Sequence, residues 1–321
     1  MMRITNNVDT KHEDIIHDVA YDFYGKRMAT CSSDHRVKIW DLGDDGSWNC
    51  TYTINKAHNA SVWKVAWAHP EYGQVVASCS FDRTVNIYEE QVEEDSKKQS
   101  TWLRKAMLVD SRDTVRDIKF APKHAGLKLA TCSADGYVRI YEANDVMNLT
   151  FWPLMEEFEA RKEGCNCISW NPSKYHSPMI AVGSDDVLIR IWEYNETVRR
   201  WQCLDTQIDH SAAVYDVAFA PNVGRSYHLL ASCSKDKTVK IWKLIPPGAA
   251  GPGADVVSSG KLTVQLAATF KHDSEVWRVE WNVTGTILAS SSDDGTVQLY
   301  KLGMQPDEWR RISVVNGTPV D

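Results

Sequence analysis

The sequence predicts an all-β fold made of six copies of one four-stranded unit, and three regularities carry that prediction. A turn aspartate recurs as Asp34, Asp82, Asp135, Asp186, Asp236 and Asp294. Two residues before each stands a serine, Ser32, Ser80, Ser133, Ser184, Ser234 and Ser292. Six residues after each stands an aromatic, Trp40, Tyr88, Tyr141, Trp192, Trp242 and Tyr300. Aromatics are only 10% of the chain, so their recurrence in every unit is not a composition effect.

Residues 61–88 show the unit best. Val62, Val65 and Trp67 alternate as a first strand, and residues 75–80 form a nearly continuous apolar second strand. Phe81-Asp82-Arg83 makes a tight turn, and Val85-Asn86-Ile87-Tyr88 returns as a third strand. First strands of the other units carry Val19/Tyr21, Ile118/Phe120, Ile168/Trp170, Val217/Phe219 and Val279/Trp281. Such a unit has two apolar faces and needs neighbours of its own kind to bury them. A fourth, outer strand follows each unit and carries Trp48, Trp102, Trp152, Trp201 or Trp309, whereas residues 261–270 have no tryptophan.

Seven residues before the first-strand aliphatic lie His12, His58, His210 and His272, with Ser111 and Arg161 in units three and four. A histidine, a strand serine, a turn aspartate and a tryptophan at these offsets are the set that WD-repeat blades use. The carboxylate accepts hydrogen bonds from imidazole and hydroxyl and ties the loop between blades to the turn. The expected architecture is therefore a six-bladed WD-repeat β-propeller over residues 1–315, with repeats at 12–42, 58–90, 111–143, 161–194, 210–244 and 272–302 and a frayed tail at 316–321. Its structural network consists of His12, Ser32, Asp34, Trp40, His58, Ser80, Asp82, His210, Ser234, Asp236, Trp242, His272, Ser292 and Asp294. Residues 91–100 read as a solvated loop, and the Pro- and Gly-rich residues 246–260 as a mobile insertion. Residues 3–9 offer one further short strand, and the last outer strand is free to join the first unit. Six blades close into a ring or leave a gap, and strand counting does not choose between them.

Composition excludes several function classes. The net charge is −7 and the basic residues are scattered, which disfavours direct nucleic-acid binding. The first residues, MMRITNNVDTKHED, lack the apolar core of a signal peptide, and no apolar run is long enough to span a membrane. Cys31, Cys79, Cys132 and Cys233 repeat at one position per unit and read as reduced core residues of a cytosolic or nuclear protein. Cys165 and Cys167 lack a second pair at metal-ligand spacing. The repeated Ser, His and Asp offsets belong to a scaffold, because a hydrolase needs one such site and not six. Neither a phosphate loop nor a His-x-x-x-His or Cys-x-x-Cys pair is present. No catalysis, cofactor, metal or small-molecule substrate is expected.

Longer stretches are more specific: IIHDVAYDFYGKRMATCSSD (15–34), SVWKVAWAHPEYGQVVASCSFDRT (61–84), LVDSRDTVRDIKFAPKHAGLKLATCSADG (108–136), YEANDVMNL (141–149), SPMIAVGSDD (177–186) and AFAPNVGRSYHLLA (218–231). Together they resemble the Seh-type nucleoporins, small WD-repeat subunits of the Y-shaped scaffold of the nuclear pore. That resemblance implies an open propeller completed in trans, in which a helical scaffold nucleoporin inserts a β blade between the first and last blades. It implies a non-enzymatic role in nucleocytoplasmic transport of mRNA and protein at the nuclear pore complex of the nucleus. It also implies membership of the GATOR complex, which regulates amino-acid signalling to the TOR kinase at the cytoplasmic surface of the lysosome. The fifth and sixth units, ASCSKDKTVKIW and ASSSDDGTVQLY, depart from that family toward ordinary WD repeats. Alternative readings are a vesicle-coat propeller sibling, or a WD-repeat substrate receptor or histone reader.

Two groups of contact residues follow. Edges of the first and last blades, Ile4, Val8, Ile15, Ile16, Val276, Trp277, Trp309 and Ile312, are candidates for holding the partner's blade. Where the repeat varies at one rim, Trp63, Phe81 and Tyr215 are candidates for a further contact, or pack on adjoining blades.

Overall fold

The computed structural model describes residues 7–92, 100–247, 262–303 and 308–317. The candidate contact Ile4, most of the 246–260 insertion and tail residues 318–321 lie outside the described residues. The chain divides into two compact units, Arg3–Cys165 and Asn166–Asp321. The first contains three sheets: β1 (Ile16–Tyr21), β2 (Arg27–Ser32), β3 (Val37–Leu42), β4 (Trp48–Ile54); β5 (Val62–Trp67), β6 (Val75–Ser80), β7 (Val85–Val92), β8 (Ser100–Leu108); and β9 (Val115–Phe120), β10 (Lys128–Ser133), β11 (Tyr137–Glu142), β12 (Leu154–Glu159). The second contains three more: β13 (Cys165–Trp170), β14 (Met179–Ser184), β15 (Ile189–Asn195), β16 (Arg200–Cys203); β17 (Val214–Phe219), β18 (His228–Ser234), β19 (Thr238–Ile245), β20 (Thr263–Lys271); and β21 (Val276–Trp281), β22 (Ile287–Ser292), β23 (Thr296–Leu302), β24 (Trp309–Asn316).

Each sheet is a blade of four consecutive strands, so the fold is all-β and of the six-bladed propeller type. The only helices among the described residues are single 3-10 turns at Pro70–Tyr72 and Lys123–Ala125. Three expectations need correction. β24 pairs with β23 of its own blade and not with the first unit of the repeat. It also runs to Asn316, one residue into the expected tail. Residues 7–9 form no strand. In the third blade Trp152 precedes β12, and its indole N–H donates to the Leu149 carbonyl at 3.0 Å.

In five of the six blades the turn between second and third strands contains one left-handed residue. Glycine fills it at Gly136 (φ 84°) and Gly295 (φ 73°), but His35, Arg83 and Lys237 adopt φ of 67°, 70° and 65°. A side chain there costs about 1 kcal/mol. The preceding aspartate offsets this by accepting the next-but-one backbone N–H, from Arg36 at 2.9 Å, Thr84 at 3.0 Å and Thr238 at 2.9 Å.

One packing rule builds the core of each unit: the second and third strands of a blade contribute apolar side chains that pack on the first strand of the next. Val37 and Ile39 pack with Val62 and Val65, and Val85 and Ile87 with Val115 and Ile118. In the second unit Ile189 and Ile191 pack with Val214 and Val217, and Val239 and Ile241 with Val276 and Val279. Each such aliphatic is worth about 1.5–3 kcal/mol of burial. The four repeated cysteines are buried and in no disulfide, and Cys31, Cys79 and Cys233 sit in these layers. No helix among the described residues is long and apolar enough to cross a membrane.

Candidate protein-interaction site

The packing rule has one exception in each unit. In β1, Val19 is 48% exposed, whereas Val65, Ile118, Ile168, Val217 and Val279 at the same repeat position are no more than 4% exposed. Ile15, Ile16 and Tyr21 are exposed beside it. In β23, Val297 is 36% exposed, whereas Val37, Val85, Val138, Ile189 and Val239 are no more than 2% exposed. Ile312 and Val314 of β24 are exposed with it. Each face keeps the apolar sequence of a blade interior, and at Val19 and Val297 no described strand covers it. A contiguous apolar face of this kind is the signature of a protein-binding surface.

Most of the described candidates for the partner's blade lie on or near these faces. Ile15, Ile16 and Ile312 are exposed, Val8 is half-buried, and Trp309 is half-buried with its ring 5.5 Å from Trp281. Val276 is a correction. It is fully buried in the cluster with Val239 and Ile241 and has no free edge to offer. Its neighbour Trp277 turns outward instead.

The network between loop and turn is visible in several blades, with one residue different from the expected set. In the first blade His12 Nδ1 lies 2.7 Å from Asp34 Oδ2, and His12 Nε2 lies 2.9 Å from the Thr30 hydroxyl, which also accepts the Trp40 indole N–H at 3.0 Å. The Asp34 carboxylate can only accept, so the neutral ring carries its proton on Nδ1 and donates it there, and Nε2 accepts from the Thr30 hydroxyl. Burial opposes ionisation of Asp34, but the imidazole bond and backbone N–H groups hold it below the ordinary range. In this blade the hydroxyl that meets the imidazole is thus four residues before the aspartate and not two. Ser78 and Ser232 do the same for His58 at 2.8 Å and His210 at 2.7 Å. Ser32, Ser80 and Ser234 instead cap the turn, accepting the N–H of Asp34, Asp82 and Asp236. In the sixth blade His272 reaches Ser292, Ser290 and Tyr300, and Ser292 passes the contact to Asp294 at 2.7 Å.

The third blade has no histidine and solves the problem with Arg139, fully buried, whose Nη2 lies 2.9 Å from Asp135 and 2.8 Å from Glu157. Arg139 occupies the strand position held by Lys38, Asn86, Arg190, Lys240 and Gln298 elsewhere. The coincidence of a lost histidine with an arginine in that register was the available signal.

The rim residues share a backbone device. The first-strand ladder skips a residue between Ile16 and Asp18, Val62 and Lys64, Val115 and Asp117, Val214 and Asp216, and Val276 and Arg278. These β-bulges fall on His17, Trp63, Arg116, Tyr215 and Trp277 and re-aim their side chains. Trp63 is half-buried and its ring lies 4.5 Å from His17, Phe81 is exposed, and Tyr215 stacks on Trp277. No cluster of three or more His, Cys, Asp or Glu suited to a metal occurs among the described residues.

Comparison with known proteins agrees with this architecture. The family described as WD domain, G-beta repeat matches residues 6–41, 48–89, 105–142, 201–243 and 264–301. It passes over the fourth blade, where Arg161 replaces the histidine and Val182 the linking hydroxyl. Nucleoporin SEH1 of Osmerus mordax is 53% identical over 336 residues, covering 100% of this chain and 90% of its own. Nucleoporin SEH1 of Homo sapiens is 51% identical over 337 residues, covering 100% and 91%, and Nucleoporin SEH1-A of Xenopus laevis is 52% identical over 331 residues, covering 98% and 89%. Six WD blades and full-length identity above one half together make this chain a member of the SEH1 nucleoporin family of WD-repeat proteins.

Proposed function

We propose that this chain is a non-enzymatic scaffold subunit of the outer-ring (Y) complex of the nuclear pore, one WD-repeat body over residues 1–315 that receives a β segment from a helical nucleoporin. The single observation that carries the reading is the bare β1 face, with Val19 48% exposed where its equivalents are covered. A partner segment that packs there supplies what Val37 and Ile39 supply to Val65, and the same need arises at Val297. Alternating side chains on such a segment set specificity while burial of both surfaces drives affinity. The names of the relatives support the nuclear pore as its place. Transport of mRNA and protein is the cellular role that goes with it. A second assembly, the GATOR complex at the cytoplasmic surface of the lysosome, would use the same face.

The test is the double variant Ile16→Glu and Val19→Glu, made on residues already in water. Co-purification of a helical scaffold nucleoporin and nuclear-rim localisation should both be lost while circular dichroism stays unchanged. Retention of both by the double variant overturns the reading.

A further inference from the structure

Tyr215 and Trp277 stand at the bulge positions of β17 and β21, and their rings stack 4.4 Å apart and within 3° of parallel. Trp277 is 42% exposed, so the stack presents indole surface to solvent. Both polar edges of the stack end on carboxylates: the Tyr215 hydroxyl donates to Glu275 Oε2 at 2.9 Å, and the Trp277 indole N–H donates to Asp293 Oδ1 at 3.2 Å. Asp185 adds a third negative charge to the field at the Tyr215 hydroxyl. Burial, followed by the bond to Glu275, pushes that phenol up to about 12, so it stays a neutral donor. Of the cations nearby, Arg278 donates Nη1 to the Trp277 carbonyl at 3.1 Å, and Lys235 lies exposed in the neighbouring turn.

An indole whose N–H is held by a carboxylate has an electron-rich face that attracts cations. Carboxylates beside that face accept the remaining donors of a planar guanidinium, which stacks and forks at once where a lysine ammonium does only the first. Negative charge at the same place repels a nucleic-acid backbone, so base stacking is disfavoured. We propose that the Tyr215–Trp277 stack with Glu275, Asp293 and Asp185 is a docking point for an arginine side chain in a basic segment of a protein partner. The site lies on the second unit and uses none of the β1 face, so it stands or falls separately from the scaffold reading.

The experiment titrates the full chain with a blocked arginine-rich peptide and with its lysine and citrulline counterparts, at low and physiological salt, following tryptophan fluorescence and calorimetry. The arginine peptide should bind roughly tenfold more tightly than the citrulline peptide and measurably more tightly than the lysine peptide. Trp277→Ala should weaken it about tenfold. The pair Glu275→Gln and Asp293→Asn keeps both acceptors for the tyrosine and indole donors while removing charge, and should weaken binding comparably without loss of fold. Phe151→Ala, an exposed aromatic in the other unit, should bind as the parent does. Equal affinity for the arginine and citrulline peptides, equal affinity for the arginine and lysine peptides, or parent-like binding by both Trp277→Ala and the charge-removed pair, overturns the proposal.

Discussion

β1 and β5 have closely related sequences and opposite surroundings. IHDVAY and VWKVAW place a β-branched aliphatic and an aromatic at matched positions, yet Val65 is buried against Val37 and Ile39 while Val19 meets solvent. The difference is not in the strand but in its surroundings. A blade's first strand is a surface written for a neighbour, and in the first blade no described residue covers it at Val19.

The sharpest way to break the comparison is to place a charge at both positions. Val65→Asp leaves an unpaired carboxylate in a dry layer and should cost at least ~4 kcal/mol, enough to prevent folding. Val19→Asp should leave the isolated chain within ~0.5 kcal/mol of the parent in urea unfolding and show its effect only in partner capture. Equal losses at the two sites would mean that the β1 face is covered by the chain itself.

Blade three tests whether buried polar links matter as much as apolar cover. Arg139→Met removes one member of a buried ion pair and strands Asp135, an expected loss of ~3–5 kcal/mol by thermal and denaturant unfolding. The parallel change Lys38→Met in the first blade, where the ammonium only reaches the carbonyls of Thr10 and Lys11, should cost clearly less.

Acid should act on covered regions before bare ones. His228 is 2% exposed, and neither ring nitrogen has a hydrogen-bond partner among the described residues. Burial, with His176 and Arg225 nearby, lowers its pKa from 6.5 to about 4. A depressed imidazole is neutral in the native state, so the unfolded chain binds more protons below pH 6.5 and stability falls from there down to about pH 4. Between pH 7 and pH 5 this group alone should remove about 2 kcal/mol, and His228→Leu should abolish that part of the slope in paired urea titrations. Asp82 and Asp236, held low against burial by His58 and His210, contribute stability present above the ordinary carboxylate range and lost only at still lower pH.

The smallest expected effect compares two hydroxyls in one blade. Thr30→Val leaves the Trp40 N–H and His12 Nε2 without partners and should cost ~1–3 kcal/mol, whereas Ser32→Ala removes a turn cap worth ~1 kcal/mol.

Fold and register were legible because turn chemistry is local: an aspartate two residues after a serine and six before an aromatic states its own geometry. The linking hydroxyl was not, because Thr30 and Ser32 are the same kind of residue two positions apart, and only the pleat decides which one faces the imidazole. Bulges at His17, Trp63, Arg116, Tyr215 and Trp277 leave no mark in periodicity over so short a strand. Burial at Val276 is hidden for a related reason: β21 belongs to the last blade yet packs with Val239 and Ile241, and the exposed apolar side chains of that blade are Val297, Ile312 and Val314.

Among the described residues every hydrogen-bonded ladder joins strands that are adjacent in sequence, so each blade is paired within itself. A gene duplication or deletion of one whole unit would then change the number of blades without unpairing a single strand elsewhere, and an ancestor could lengthen or shorten by that increment with little penalty. Such modularity leaves a terminal blade whose outer surface is free to specialise toward whatever molecule comes to rest on it.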